Sequence, residues 1–187
     1  MWLPRVCLIL FLGMGFTGTA YGAVPVREMV AAQVMGADTL RAHTLSLLAR
    51  GQVTEAIDYW VVTTGKEAPA WLWAFKTAFD TSKQVAGSCQ GVAQSISAAF
   101  TRLGGKPEFV ELETSSRIKY PYMMFKMPSG LDVNLSRNGY HVLVRMNGRA
   151  YDAYTGAVGM PWAEYLERLG ARSEITQKVV ETVMVAP

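Results

Sequence analysis

The sequence predicts an α+β fold, with helices first and a mostly antiparallel sheet after them. Three observations carry this. Apolar residues recur at helical spacing from Val26 to about Ser82, and again in one long stripe from Cys89 to Leu103. Beyond Pro107 the period turns to two, and Asn147-Gly148 stands between two such runs as a hairpin turn.

Taken in order, the chain opens with a secretory signal over residues 1–22. Arg5 supplies the positive start, Val6 to Phe16 the apolar run, and Ala20-Tyr21-Gly22 the small-x-small cleavage site. The apolar run is shorter than the ~20 residues of a spanning helix and is broken by Gly13, Gly15 and Gly18, so no stable membrane insertion is expected after cleavage. The protein is therefore expected to be exported, periplasmic or secreted. Cys7 leaves with the signal.

Residues 23–82 form a predicted helical N-terminal region in short pieces: Arg27 to Val34, Thr39 to Ala49, Thr54 to Val62, and Ala68 to Phe79. Asp38 is the expected N-cap of the second piece and Gly51 its stop. His43 reads as a helix-surface or boundary residue, with no acid, thiol or imidazole at ligand spacing around it. Trp60, Trp71, Trp73, Phe75 and Phe79 read as core packing against the later part of the chain, or as a groove wall beside a site.

Residues 83–187 form the second predicted region. Ser88 is the expected N-cap of the helix Cys89 to Leu103, and Gly104-Gly105 ends it. Strands are predicted at Phe109 to Leu112, Arg117 to Met127, Leu131 to Leu135, Tyr140 to Arg145 and Arg149 to Tyr154. A helix from Pro161 to Leu169 and a β-branched tail from Val179 to Val185 complete the chain.

Of 187 residues, half are apolar, enough for one ordinary core. The formal charge of +3 falls by one with Arg5, and no block of like charge or aromatic-basic interleaving supports a nucleic-acid partner. After cleavage Cys89 is the lone thiol of an exported protein, which leaves catalysis, intermolecular pairing or a buried inert core thiol. A helix N-terminus lowers a thiol's pKa through its unpaired N–H groups and its dipole, and the Cys89 N–H could serve an oxyanion.

A cysteine nucleophile wants an imidazole, and His141 lies in the strand Tyr140 to Arg145. With a two-residue Asn147-Gly148 turn, Met146 faces Arg149, and the pairing runs on to Leu143 with Asp152 and His141 with Tyr154. His141 and Asp152 then share a face as diagonal neighbours, within reach for the acid to orient the ring. A register slip by one residue would separate them.

The segments Ser88-Cys89-Gln90-Gly91-Val92-Ala93, Asn138-Gly139-Tyr140-His141-Val142-Leu143-Val144 and Tyr151-Asp152-Ala153-Tyr154-Thr155-Gly156 resemble the papain-like cysteine hydrolase superfamily. Within it they look like the papain-fold toxin domains of bacterial polymorphic toxins, over roughly Gly87 to Leu169. The resemblance implies a papain-like fold, in which a central helix packs on a mostly antiparallel sheet behind N-terminal helices. It further implies Cys89 as nucleophile, His141 as base and acid, and Asp152 as orienting acid. Gln84 becomes the oxyanion donor, about one position off the familiar spacing; Gln90 is the other amide nearby.

The expected activity is hydrolysis of amide bonds through a thioester, as a glutamine deamidase or peptidase, with a toxin or effector role. A transglutaminase-like enzyme or a cell-wall amidase is the sister reading, and a non-enzymatic exported binding domain the reading from another class. No cofactor or metal is expected. The expected partners are a protein or peptide substrate and a cognate inhibitor. Asn134 and Asn138 are the alternative orienting residues should Asp152 not serve.

Overall fold

The computed structural model describes residues 26–183, with side chains from residue 36 onward. The expected signal, residues 1–22, and the end of the predicted tail strand lie outside the described residues. No helix among the described residues is long and apolar enough to cross a membrane.

The first two predicted helical pieces are a single helix, α1 (Val26–Ala49), so Asp38 lies mid-helix and caps nothing. Gly36 is the apparent breaker, but a glycine inside a helix costs only about 1 kcal/mol relative to alanine, too little to interrupt so long a run. Gly51 does stop α1, at φ +75°, with its N–H on the Leu48 carbonyl at 2.9 Å. A Cβ there would also strike the Val158 side chain, so this turn is pressed against the loop around Val158.

Helix α2 (Val53–Thr64) buries Val53, Ala56 and Ile57, and α3 (Ala70–Thr77) buries Leu72 and Phe75. The Trp60 and Trp71 rings meet edge-on at 5.5 Å. Phe75 then joins the prefix to the rest of the chain: it contacts Phe79 at 5.1 Å and Phe100 at 5.2 Å, and Phe100 contacts Tyr151 at 5.1 Å. These residues and the sheet interior form one hydrophobic core. Core packing is thus the role of Phe75, while Trp73 is half exposed with Lys76 over its ring.

Helix α4 (Cys89–Arg102) buries the predicted stripe of Val92, Ala93, Ile96, Ala99 and Phe100. Gly104 turns the chain at φ +86°, and the Gly105 N–H closes on the Phe100 carbonyl at 2.8 Å. Ser88 occupies the N-cap position but makes no side-chain cap. Its hydroxyl turns back to the carbonyls of Lys83, the last residue of the short 3₁₀ turn (Thr81–Lys83), and of Val85 beyond it.

Two antiparallel sheets complete the chain. The larger has β1 (Glu108–Thr114), β4 (Tyr140–Met146), β5 (Arg149–Tyr151), β6 (Met160–Pro161) and β8 (Ile175–Val180), in the order β6-β5-β4-β1-β8. The smaller has β2 (Met123–Lys126), β3 (Asp132–Ser136) and β7 (Leu169–Ala171), in the order β3-β2-β7. Helix α5 (Trp162–Glu167) links β6 to β7 and is shorter than predicted at both ends.

The predicted strand Arg117 to Met127 survives only as β2, because the chain turns through residues 115–119 and Pro121 has no N–H to give a ladder. The terminal strand lies four residues earlier than predicted and pairs with β1, a long-range partner that local pattern does not reveal.

The β4–β5 hairpin has the expected register: Met146 pairs with Arg149, Arg145 with Ala150, and Val144 with Tyr151. Asn147 (φ +50°) and Gly148 (φ +72°) form the two-residue turn. The ladder ends there, so the anticipated Leu143–Asp152 and His141–Tyr154 pairs do not form.

Alternation on β4 sorts its two faces. Met146 meets the Gly105 backbone and Tyr151, paired to Val144, meets Phe100, so α4 covers the Val142, Val144 and Met146 face. Arg145 lies over the Trp162 ring, and Phe125 of β2 packs on Tyr165, so α5 and the small sheet cover the His141 and Leu143 face.

Candidate active site

Cys89 is the first residue of α4, half-buried, and the one free cysteine among the described residues. As the first helical residue it has no carbonyl one turn earlier within the helix for its N–H to bond. Because Ser88 turns its hydroxyl away, no side-chain cap competes for the N–H groups of that first turn.

His141 and Asp152 are each 1 % exposed, and His141 Nε2 lies 3.1 Å from Asp152 Oδ2. The carboxylate is held on every side. Oδ1 accepts the N–H groups of Tyr154 (2.8 Å) and Thr155 (2.9 Å), and Oδ2 also accepts the Tyr165 hydroxyl at 2.7 Å. Thr155 closes the turn by accepting the Asp152 N–H through Oγ1 at 3.0 Å. This Asp-initiated turn is what ends β5 and swings the carboxylate to the ring.

With Asp152 ionised, Nε2 holds a proton toward it, and Nδ1 is the ring nitrogen left to exchange a proton with the thiol. Nδ1 is buried without a hydrogen-bond partner. The Cys89 thiol is near enough for it and the ring each to shift the other's titration, although the resting geometry falls short of a formed hydrogen bond. Resting sites often keep this contact long until substrate closes it.

Burial pushes the Cys89 thiol up, but the His141 ring and the backbone N–H groups of Val142 and Gln90 pull it further down, so it ionises below its ordinary value. Burial lowers His141, yet Asp152 and then Cys89 outweigh that and push it up to about 9. Burial raises Asp152, and His141, Tyr165 and the Tyr154 N–H more than offset it, leaving the carboxyl below its usual range. All three shifts favour a thiolate beside an imidazolium backed by a carboxylate.

Gln84 approaches the same turn: its Nε2 donates to the Ala153 carbonyl at 3.0 Å. Gln90 hydrogen-bonds Tyr140, whose hydroxyl donates to Glu111 Oε1 at 2.8 Å, and burial with that carboxylate holds the phenol far above its usual range. Asn138 is engaged elsewhere, its Oδ1 accepting the Ser136 hydroxyl and the Tyr140 N–H, and Asn134 meets Tyr154 only through its backbone carbonyl. His43 is exposed, with its ring tilted against Tyr59 at 4.3 Å.

Sequence reasoning missed Tyr165. Its phenol is fully buried, and only the packing of α5 on the His141 face brings it to Asp152. The turn that presents Asp152 did leave a trace, in the spacing Asp152, Thr155, Gly156.

A groove of about 400 Å³ runs between α3 and the first turns of α4, walled by Ala78, Gly87, Ser88 and Gly91. A larger one of about 510 Å³ at the β2–β7 edge contains none of the three converging residues. Among the described residues no group of three or more His, Cys, Asp or Glu could hold a metal ion.

No protein-family model matches the chain, and comparisons with curated proteins and with solved structures return no match. The functional reading therefore rests on the chemistry of the site.

Proposed function

We propose that the protein is an exported cysteine hydrolase of papain-like type that cleaves amide bonds through a thioester. The observation that carries this is the convergence of Cys89, His141 and Asp152 from a helix start, a central strand and the turn after its partner strand, with the ring's second nitrogen buried and unpaired. The hairpin brings His141 and Asp152 together, and Cys89 reaches them from a helix start about 50 residues earlier in the chain. A buried ionisable pair next to a half-exposed thiol is a costly arrangement for a core, and a useful one for a nucleophile.

In the acylation step the Cys89 sulfur forms a bond to the substrate carbonyl carbon, and the carbonyl π pair moves onto oxygen. The Cys89 N–H and Gln84 are the donors for that oxyanion. The C–N bond then breaks, His141 gives its proton to the departing amine or ammonia, and the thioester remains. In deacylation His141 takes a proton from water, the hydroxide adds to the thioester, and the C–S bond breaks to release the carboxylic acid and restore the thiolate beside the imidazolium. Asp152 holds the ring's tautomer and stabilises the imidazolium.

A glutamine side chain and a peptide bond both fit this sequence of steps. A transglutaminase-like enzyme or cell-wall amidase would share the acylation half and differ in the acceptor or substrate. A glutamine-bearing protein and peptidoglycan fragments, incubated in parallel and read by mass, separate these outcomes; deamidation adds about one mass unit. Cys89→Ala and His141→Ala are expected to abolish turnover with the fold retained. A fully active Cys89→Ala variant would overturn the proposal, as would a thiol that resists alkylation until the chain unfolds, since a helix-start thiolate should react well below the free-cysteine pKa of ~8.5.

A further inference from the structure

We infer that Tyr165 is a positioning residue that shares Asp152 Oδ2 with His141 and so sets how strongly the acid holds the imidazole. The inference rests on the cysteine-hydrolase reading for its role in turnover, but its physical content does not.

Asp152 has two oxygens and four donors around them. The Tyr154 and Thr155 N–H groups occupy Oδ1, at 2.8 and 2.9 Å. Oδ2 is left for His141 Nε2 at 3.1 Å, and Tyr165 reaches that same oxygen at 2.7 Å. The phenol bond is the shorter of the two, and Tyr165 is fully buried, so water cannot take its place. A carboxylate oxygen divided between two donors gives each less than it would give one. The phenol therefore tempers the Asp152–His141 bond while anchoring the oxygen on the ring's side.

The placement also explains why the phenol is a tyrosine and not a phenylalanine. Tyr165 packs on Phe125 at 4.9 Å and stacks on Trp162 at 6.0 Å, contacts that need only the ring. The hydroxyl adds nothing to that packing and has Asp152 as its partner.

The test is the titration of His141, followed by ¹⁵N NMR of the ring in the full chain, because this readout needs no substrate. In Tyr165→Phe the carboxylate loses one donor, Nε2–H becomes its only partner at Oδ2, and the His141 midpoint is expected to rise by about half a pH unit. A fluorotyrosine placed at 165 is a stronger donor and is expected to move the midpoint the other way. These opposite shifts are the signature of a shared oxygen, which a merely structural hydroxyl would not produce. A folded Tyr165→Phe protein with an unmoved His141 midpoint would overturn the inference, as would shifts of the same sign in both variants. Where the protein turns over substrate, the alkaline limb of its pH profile is expected to follow the same shifts. Absence of turnover with the shifts present would count against the hydrolase reading and leave the sharing of Oδ2 intact.

Discussion

Asp152 reaches His141 one residue beyond the point where the β4–β5 ladder has ended at Tyr151. A continued strand would have set the acid rigidly in the sheet as a diagonal neighbour. The turn built on Thr155 instead leaves its carboxylate fixed by backbone N–H groups on one oxygen and offered to the ring on the other. Asp152→Ala would strip partners from two N–H groups, the Tyr165 hydroxyl and the imidazole at once. Each buried group left unpaired costs about 1–3 kcal/mol, so a loss of several kcal/mol in urea unfolding is expected. Asp152→Asn keeps the shape and the two backbone N–H bonds at Oδ1, while its amide nitrogen cannot accept from Nε2–H or the Tyr165 hydroxyl, and it should lose less stability than the alanine variant. Its turnover should fall on the order of 100-fold less than that of Cys89→Ala, since the acid acts through the ring and makes no bond to substrate. Turnover measured beside the unfolding curve separates the two effects.

The ion pair at the site links stability to pH with a definite sign. His141 is raised from 6.5 to about 9 in the folded protein, so its contribution is full below about 6.5 and is lost as pH rises through about 9. Asp152 is depressed below 3.8, so its contribution is present above that value and is lost as pH falls through the folded one. The thiol runs in the sense of Asp152: with its folded value below 9.0, its contribution is present above 9.0 and fades as pH falls. Cys89→Ser removes that contribution. In this background the share of the His141 rise that comes from Cys89 is also gone and Asp152 alone holds the ring up, so urea unfolding should show stability falling as pH rises above 6.5 and levelling off short of about 9, and His141→Asn in the same background should abolish the fall. A flat profile in Cys89→Ser itself would contradict the charged state assigned to the ring.

Local chemistry made part of this site legible in the sequence alone. The Asn147-Gly148 turn can hardly be other than a two-residue hairpin, and the turn alone sets which β4 residue faces which on β5. The stripe from Cys89 to Phe100 identified α4 and placed the thiol at its start. What escaped was written in tertiary contacts. Tyr165 meets Asp152 only because α5 folds back over β4, and β8 finds β1 across more than 60 residues of chain. Weak local signals also misled: Asp38 resembles a cap but sits in a helix that Gly36 fails to break, and Ser88 resembles one but turns its hydroxyl to the preceding turn. The change of period from helical to alternating at Pro107 did give the α+β class, helices packed with antiparallel sheets.

Gln84 offers a separable test of the oxyanion assignment. Its Nε2 is tied to the Ala153 carbonyl at 3.0 Å, which fixes the amide beside the Asp152 turn and leaves the second N–H of the same nitrogen to donate. Loss of an oxyanion donor lowers kcat by about 10²–10³-fold, with KM little changed, because the donor acts on charge present only in the transition state. Gln84→Ala is expected to show that pattern with a small fall in Tm from the lost Ala153 contact. A parallel rise in KM with kcat intact would assign Gln84 to substrate binding or loop support instead.

Phe75 decides whether the helical prefix is detachable. Its ring is fully buried, edge-on to Phe79 on one side and to Phe100 of α4 on the other, and Phe100 passes the contact on to Tyr151, the residue before Asp152. A detachable prefix should release from residues 83–187 without opening their core, but removal of α3 would expose Phe100 and the underside of α4 together. Phe75→Ala leaves a cavity at this junction and should cost about 3–5 kcal/mol in urea unfolding. The transition should stay single, because the prefix and the sheet share one core. A chain lacking residues 23–82 is accordingly expected not to fold, as judged by circular dichroism and by loss of the low-pH alkylation of Cys89 that the folded site confers. A truncated chain that folds with an unchanged Cys89 pH profile would show instead that α4 is supported by the sheet alone.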